Sequence, residues 1–329
     1  MQVHYRAGKR DLRGIPKADL PRVKEVMKER GHLLIPIVVL IGLLFQNMPV
    51  GHAAFWTIVT TVVVASFRKT TRMSINDILE ALSMGARQSL AVVIACAVVG
   101  IIIGVVSLTS FGTVMTSSIQ SLGAGSLFLT LFFTMLASMI LGMGLPSIPA
   151  YIITATMAAP ALAEFGVPVL VAHMFVFYFG IFANVTPPVA LAAFAGAGVS
   201  GGNPMYTGFQ ALKLSLAGFI IPYLFVFEPS LLMINPEGLA TNATEFPLAD
   251  VGDIVLNVST AVVGIIALSA ALEGYFRTHL NVVLRLLLLA AALFSVVPGL
   301  TSDIIGLSVI LVIFIINFMT DRKEKAQTA

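Results

Sequence analysis

Two short stretches of the chain hold the residue types that bind small ions. Residues 141–147 read LGMGLPS and residues 184–188 read NVTPP, and each interrupts a strongly apolar run. Pro146, Pro187 and Pro188 remove backbone donors and end a helix. Gly142 and Gly144 permit unusual dihedrals and the close approach of another segment. Ser147, Asn184 and Thr186 offer oxygen ligands of the hard kind that suits Na⁺, by extension from other hard cations. A helix broken at membrane depth presents carbonyls where its first half ends, which attract a cation, and N–H groups where its second half starts, which attract an anion. Such backbone survives only if it is buried in protein or lines a polar cavity. A single proline kink is commonplace in membrane helices. Two interruptions together point to the site of a secondary transporter. The candidate cation-binding set is Gly142, Gly144, Ser147, Asn184, Thr186 and Pro187.

Around these breaks stand other polar groups at membrane depth. His173 is either a ligand or proton relay or a neutral hydrogen-bonding partner between helices. Tyr151, Thr154 and Thr156 line a cavity or bond neighbouring helices, and Tyr151, Thr154 and His173 form the candidate substrate cavity. Phe175, Phe177, Phe179 and Phe182 read as packing, Glu164 as a solvated end, and the lone Cys96 as a buried, inert thiol. The expectation is that no G-x-S-x-G elbow, no HExxH pair and no paired membrane aspartates occur, so the chain does not read as an intramembrane enzyme.

The elements that must position these residues are membrane helices. The chain has 329 residues, 58% hydrophobic and only 11% charged, with a mean hydropathy of +0.98. Soluble domains carry roughly 25% charged residues. Several runs approach the roughly 20 apolar residues that cross a bilayer. Apolar runs cover 33–48, 50–67, 90–108, 126–141, 148–165, 168–183, 189–199, 205–227, 254–272, 282–297 and 303–319. Residues 74–87 have the spacing of an amphipathic helix lying in the interface. The uncharged stretch 109–125 reads as an outer connection. Residues 1–32 carry nine of the Lys/Arg and no signal-peptide core, as an internal cytoplasmic loop would.

Charge sets the topology. Cytoplasmic loops carry the Lys and Arg. If 126–165 is a re-entrant hairpin and 168–199 one broken span, all 19 Lys/Arg fall on one side and the acidic loop 228–250 on the other. The pI of 9.1 therefore reports orientation and not nucleic-acid binding. The expected fold is all-α integral membrane, with about eight transmembrane helices, one re-entrant hairpin and one discontinuous helix. Its divisions are a basic loop (1–32), scaffold helices with an amphipathic arm (33–121), a transport region (122–227), an acidic loop (228–250) and a three-helix extension (251–329).

The motifs GMGLPSIPAY at 142–151, AHMFVFYFG at 172–180, TPPVALAA at 186–193 and AGAGVSGGNP at 195–204 resemble the large membrane subunit of tripartite ATP-independent periplasmic (TRAP) transporters, in particular the fused permease of the TAXI branch. The resemblance runs through about Phe227 and is looser beyond. It implies an elevator-type secondary transporter in a bacterial or archaeal inner membrane, driven by Na⁺, or by H⁺ in some members, with no other cofactor. It further implies import of a carboxylate solute handed over by a periplasmic binding protein, beside a small membrane subunit. By this analogy 142–147 is a hairpin tip and 184–188 the break that shares one Na⁺ site with it. Many relatives have an acidic residue where this chain has Asn184, which leaves the coupling ion open. The resemblance covers only the second of two inverted halves. The expectation is thus a fragment, a half-permease whose other half is a separate polypeptide, or a non-transporting scaffold.

Overall fold

The computed structural model describes residues 1–10, 16, 19–235, 248–295 and 300–328. It is all-α. In chain order the helices are α1 Gln2–Lys9, α2 Val23–Arg30, α3 Ile35–Phe45, α4 Val50–Ser66, α5 Ile75–Thr109, α6 Phe111–Gly123, α7 Leu127–Gly142 and α8 Ser147–Met157. They continue as α9 Pro160–Ala163, α10 Val169–Phe182, α11 Leu191–Ser200, α12 Pro204–Ser215, α13 Ile221–Phe227, α14 Val251–Glu273, α15 Val282–Phe294 and α16 Leu300–Thr328. Among the described residues the only β pairings are two isolated bridges. Ile75–Thr109, Pro204–Phe227, Val251–Glu273 and Ser302–Thr320 are long and apolar enough to cross a membrane. The other apolar segments, α4, α7, α8, α10, α11 and α15 among them, are shorter helices, because Pro, Gly and short polar turns cut the runs.

Two compact units divide the chain, 13–93 and 1–12 with 94–329. In the first, α3 and α4 pack together across a turn where Asn47 takes a φ of 57°. The loop after α4 is fixed to the end of α2, because an Arg68 Nη donates to the carbonyls of Lys28 (2.6 Å) and Glu29 (3.0 Å). His32 Nε2 lies 3.1 Å from Thr71 Oγ1. Ser74 and Asp77 then cap α5 reciprocally, each backbone N–H donating to the other's side chain.

In the second unit, α7, α8 and α10 pack on one another around the fully buried Phe175, Phe179, Leu131 and Leu162. The C-terminal helices α14, α15 and α16 form a bundle cored by Leu268, Leu288 and Ile310. Its ends differ in charge. At the C-terminus of α14, Lys9 donates to the carbonyl of Glu273 (2.6 Å), and Arg285 to those of Ala271 (2.6 Å) and Leu272 (2.9 Å). Cations there complement the helix dipole. At its N-terminus Asp250 accepts the Gly252 N–H (2.9 Å), and Glu228 accepts from Ser230 (2.6 Å), which accepts from Asn257 (2.8 Å).

The structure departs from the sequence expectations in four places. The basic stretch 1–32 contains α1 and α2 and is not simply a loop. α1 buries Tyr5 in the bundle core, pairs Arg6 with Glu273 (3.7 Å) and with Gln210, and donates from Gln2 to the Lys213 carbonyl (2.9 Å). The stretch expected as an outer connection is α6, whose Ser117 and Ser118 hydroxyls bond carbonyls of their own helix. The amphipathic segment and the following span are one 35-residue helix, α5. The second hairpin arm ends at Met157, because Pro160 has no N–H to extend it, and restarts as α9. Glu237 and Glu245 of the acidic loop, and Arg13 and Lys17, lie outside the described residues.

Candidate functional site

The hairpin tip is made by residues that cannot continue a helix. α7 ends at Gly142, Met143 leaves the helix (φ −58°, ψ 125°), and Gly144 turns the chain at φ +73°. Pro146, extended at ψ 158°, caps α8 and accepts its first hydrogen bond from the Ala150 N–H (3.0 Å). The break is built likewise. After α10 one 3-10 turn covers Ala183–Val185, Thr186 is extended, and Ala190 is left-handed at φ 31° before α11 begins. The peptide bond between Pro187 and Pro188 is cis.

Tip and break meet. Asn184 Nδ2 donates to the Leu145 carbonyl at 3.4 Å, a long bond across 39 residues of sequence. An added Cβ on Gly142 would lie 2.4 Å from the Gly180 carbonyl oxygen, and one on Gly144 3.5 Å from Val189 Cγ1. The far side of the break rests on α12, where a Cβ on Gly208 would lie 3.3 Å from the Pro187 ring. Gly142, Gly144, Asn184 and Pro187 are thus assembled at one junction. Thr186 is there too, buried, but its hydroxyl donates to the Phe182 carbonyl of its own helix (2.9 Å). Ser147 starts α8 and is exposed. Among the described residues no hydrogen bond joins either hydroxyl to the opposite segment. No three His, Cys, Asp or Glu side chains converge among the described residues, so a cation at this junction would be held by neutral oxygens: backbone carbonyls, Asn184 Oδ1 and the two hydroxyls.

The expected substrate cavity divides. Tyr151 Oη and His173 Nδ1 are 2.9 Å apart, with the Tyr151 ring edge-on to Phe177 as well. Thr154 is fully buried and donates to the Ala150 carbonyl (2.9 Å), between α8 and α10. His173 faces a small cavity of about 130 Å³ with Ala155, Ala159 and Pro160. A larger cavity of about 410 Å³ is lined by the hydroxyls of Ser110, Thr113 and Thr116, in the stretch that reads from sequence as an outer connection, with Ser107 of the preceding span and Thr156 of the hairpin. The signal that could have found it is the run of uncharged Ser and Thr at 107–118. Also unexpected is a buried row on α7, where the Thr134 and Ser138 hydroxyls have no hydrogen-bond partner. Residues 198–202 do spell G-x-S-x-G, but Ser200 ends α11 and bonds the Ala197 carbonyl (3.3 Å), with no strand before it. That is not a nucleophile elbow.

A helical hairpin whose tip closes on the unwound point of a broken helix, in an all-α membrane protein, defines a multi-pass membrane protein of the secondary-transporter kind. The family model for the DctM component of tripartite ATP-independent periplasmic transporters matches residues 1–237, and the chain belongs to that family. No curated protein and no solved structure matches it. Membership makes the chain a TRAP transporter permease component, and the family in general works with a periplasmic binding protein and a small membrane subunit. Helices α14–α16 lie beyond the matched residues.

Proposed function

We propose that this chain forms one cation-coupled half of the transport pathway of a TRAP transporter of the TAXI type, importing a carboxylate solute from a periplasmic binding protein. In this reading Na⁺ binds at the junction of 142–147 and 184–188, with H⁺ the alternative coupling ion. The observation that carries the reading is the contact of the two breaks through Asn184, Leu145, Gly142 and Gly180. Closing the hairpin on the ion would bring Ser147 and Thr186 to it, and opening would release it. The chain would sit in an inner membrane, with the basic end of α14 and both termini cytoplasmic and the acidic end periplasmic.

The test uses the assembled transporter, with its other permease half, small subunit and binding protein, in proteoliposomes. Ser147→Ala and Thr186→Ala raise the Na⁺ concentration needed for half-maximal uptake. Unchanged Na⁺ dependence in both variants removes the site assignment. A second reading, a non-transporting half-permease scaffold, is favoured by one observation: the described residues contain one hairpin and one broken helix, whereas a substrate site between inverted halves needs two. In both readings the chain reconstituted alone shows no Na⁺-driven uptake, and concentrative uptake by it would overturn both; Na⁺-driven uptake by the chain assembled with its other half excludes the scaffold reading.

A further inference from the structure

The unit 13–93 holds a groove that the transport reading does not use. Its walls are α4 and the first turns of α5, which part after the loop 67–74. Phe55, Ile58 and Val62 recur at helical spacing on α4, and Ile78, Leu82 and Gly85 on α5, around a space of about 800 Å³. That volume falls in the range of roughly 300–1,000 Å³ typical of ligand pockets. The lining is apolar, and its one α4 hydroxyl, on Thr61, bonds the Thr57 carbonyl of its own helix (2.8 Å).

The loop that joins the two walls reads Arg68-Lys69-Thr70-Thr71-Arg72, followed by Met73, which lines the groove. Arg68 is committed to the carbonyls of Lys28 and Glu29, which holds the last turn of α2, with Lys28 and Arg30, beside the loop. Lys69 and Arg72 are exposed. Of the nearby acids, Asp77 is engaged by Ser74, leaving Glu29 and Glu80. An apolar slot with a cationic rim fits an amphiphile with an acyl body and an anionic head. Clustered cations next to a membrane helix attract anionic lipid.

We propose that this groove is a binding site for an anionic phospholipid, one acyl chain lying between α4 and α5 and the phosphate on Lys69 and Arg72. The lipid fills a space the protein's own side chains leave open and ties the amphipathic start of α5 to α4.

The full chain is placed in nanodiscs of phosphatidylcholine containing a minor fraction of phosphatidylglycerol, extracted, and its co-purifying lipid identified by mass spectrometry. The wild type retains phosphatidylglycerol in preference to phosphatidylcholine. Lys69→Gln with Arg72→Gln lowers that preference by about thirtyfold, from the usual effect of two juxtamembrane cations. Gly85→Leu plugs the groove. A Cβ there meets nothing within 4 Å, and Leu is the better helix former, so the fold is retained. It lowers retention of both lipids. Retention unchanged by Gly85→Leu, or a preference unchanged by the charge variant, overturns the proposal. So does a photoreactive residue at Leu82 that, in native membranes, labels a polypeptide and not lipid.

Discussion

A Cβ placed on Gly142 would stand 2.4 Å from the carbonyl oxygen of Gly180 and 2.8 Å from its Cα, so the tip of the hairpin lies on the backbone of α10 with no room for a side chain. Gly142→Ala therefore has to push the tip away from the break. Overpacking of this kind costs about 1–3 kcal/mol. The expected outcome is a lower thermal midpoint in detergent and, in the assembled transporter, a raised Na⁺ requirement. Gly180→Ala is the control. Its Cβ would meet Thr154 Cγ2 at 3.4 Å, Thr154 Oγ1 at 3.5 Å and the Ala150 carbonyl oxygen at 3.8 Å, all without overlap, and Ala is favoured over Gly within a helix, so stability changes little. Equal losses in both variants would show that the contact is not directional as described.

The Arg6–Glu273 pair anchors α1 to the end of α14, with side chains only 14% and 3% exposed. Glu273→Ala leaves the Arg6 guanidinium buried beside Gln210 without its counter-charge, an arrangement that costs about 3 kcal/mol or more. Arg6→Met combined with Glu273→Leu removes both charges and keeps the volume, and is expected to recover most of that loss. Thermal unfolding of the two variants and the wild type checks both statements. A cysteine pair replacing Gln2 and Lys213 should crosslink in the wild-type background and more slowly with Glu273→Ala, because Gln2 reaches the Lys213 carbonyl only while α1 is docked.

How far these features could be read from sequence depends on the range of the interactions that make them. The two breaks were legible because Gly and Pro act locally: Gly144 at φ +73° and Pro146 at the head of α8 do there what those residues do anywhere. Their meeting followed from pairing two interruptions, and Asn184 on Leu145 is its structural form. The end of the second arm was equally legible, in Pro160, but the apolar composition around it outweighed the proline. Helix α6 was hidden by its composition. Ser and Thr suggest loops, yet Ser117 and Ser118 satisfy their hydroxyls on carbonyls of the preceding turn. The left-handed residue that separates α5 from α6 is Ser110, not a glycine, and so gave no mark. The docking of α1 rests on partners more than 200 positions away, Lys213, Gln210 and Glu273, which no local pattern reveals. The burial of Thr154 against Gly180 comes from the packing of α8 on α10, which its place in the sequence does not show.

Tyr151 and His173 can be separated from the junction of hairpin tip and break by experiment. Tyr151→Phe keeps the ring contacts with His173 and Phe177 and removes the hydroxyl 2.9 Å from Nδ1. The loss is one partly buried hydrogen bond, about 1 kcal/mol of stability. Because the Tyr151 hydroxyl is engaged by His173 and not by Leu145, Asn184 or Thr186, the Na⁺ concentration for half-maximal uptake is expected to stay at the wild-type value in the assembled transporter. A large change in that value would make the pair part of the ion site.

The turn between α14 and α15 hangs on one side chain of α16. Asn317, 3% exposed, accepts the backbone N–H groups of Arg277 (3.0 Å) and Thr278 (3.2 Å) on Oδ1, and donates from Nδ2 to the Thr278 hydroxyl (2.9 Å). Near this turn the Arg277 guanidinium stacks over Phe318 at 4.7 Å. Asn317→Leu is close in size but accepts nothing, so it leaves buried backbone donors unpaired, at about 1–3 kcal/mol for each unsatisfied group. Asn317→Asp keeps the acceptor and loses the donor. It is expected to fall between Asn317→Leu and the wild type in thermal midpoint. The effect should be confined to α14–α16, read as faster amide exchange at 275–281 with exchange in α7, α8 and α10 unchanged. Exchange that quickens equally in the hairpin would mean that the C-terminal bundle and the junction of tip and break unfold as one cooperative body.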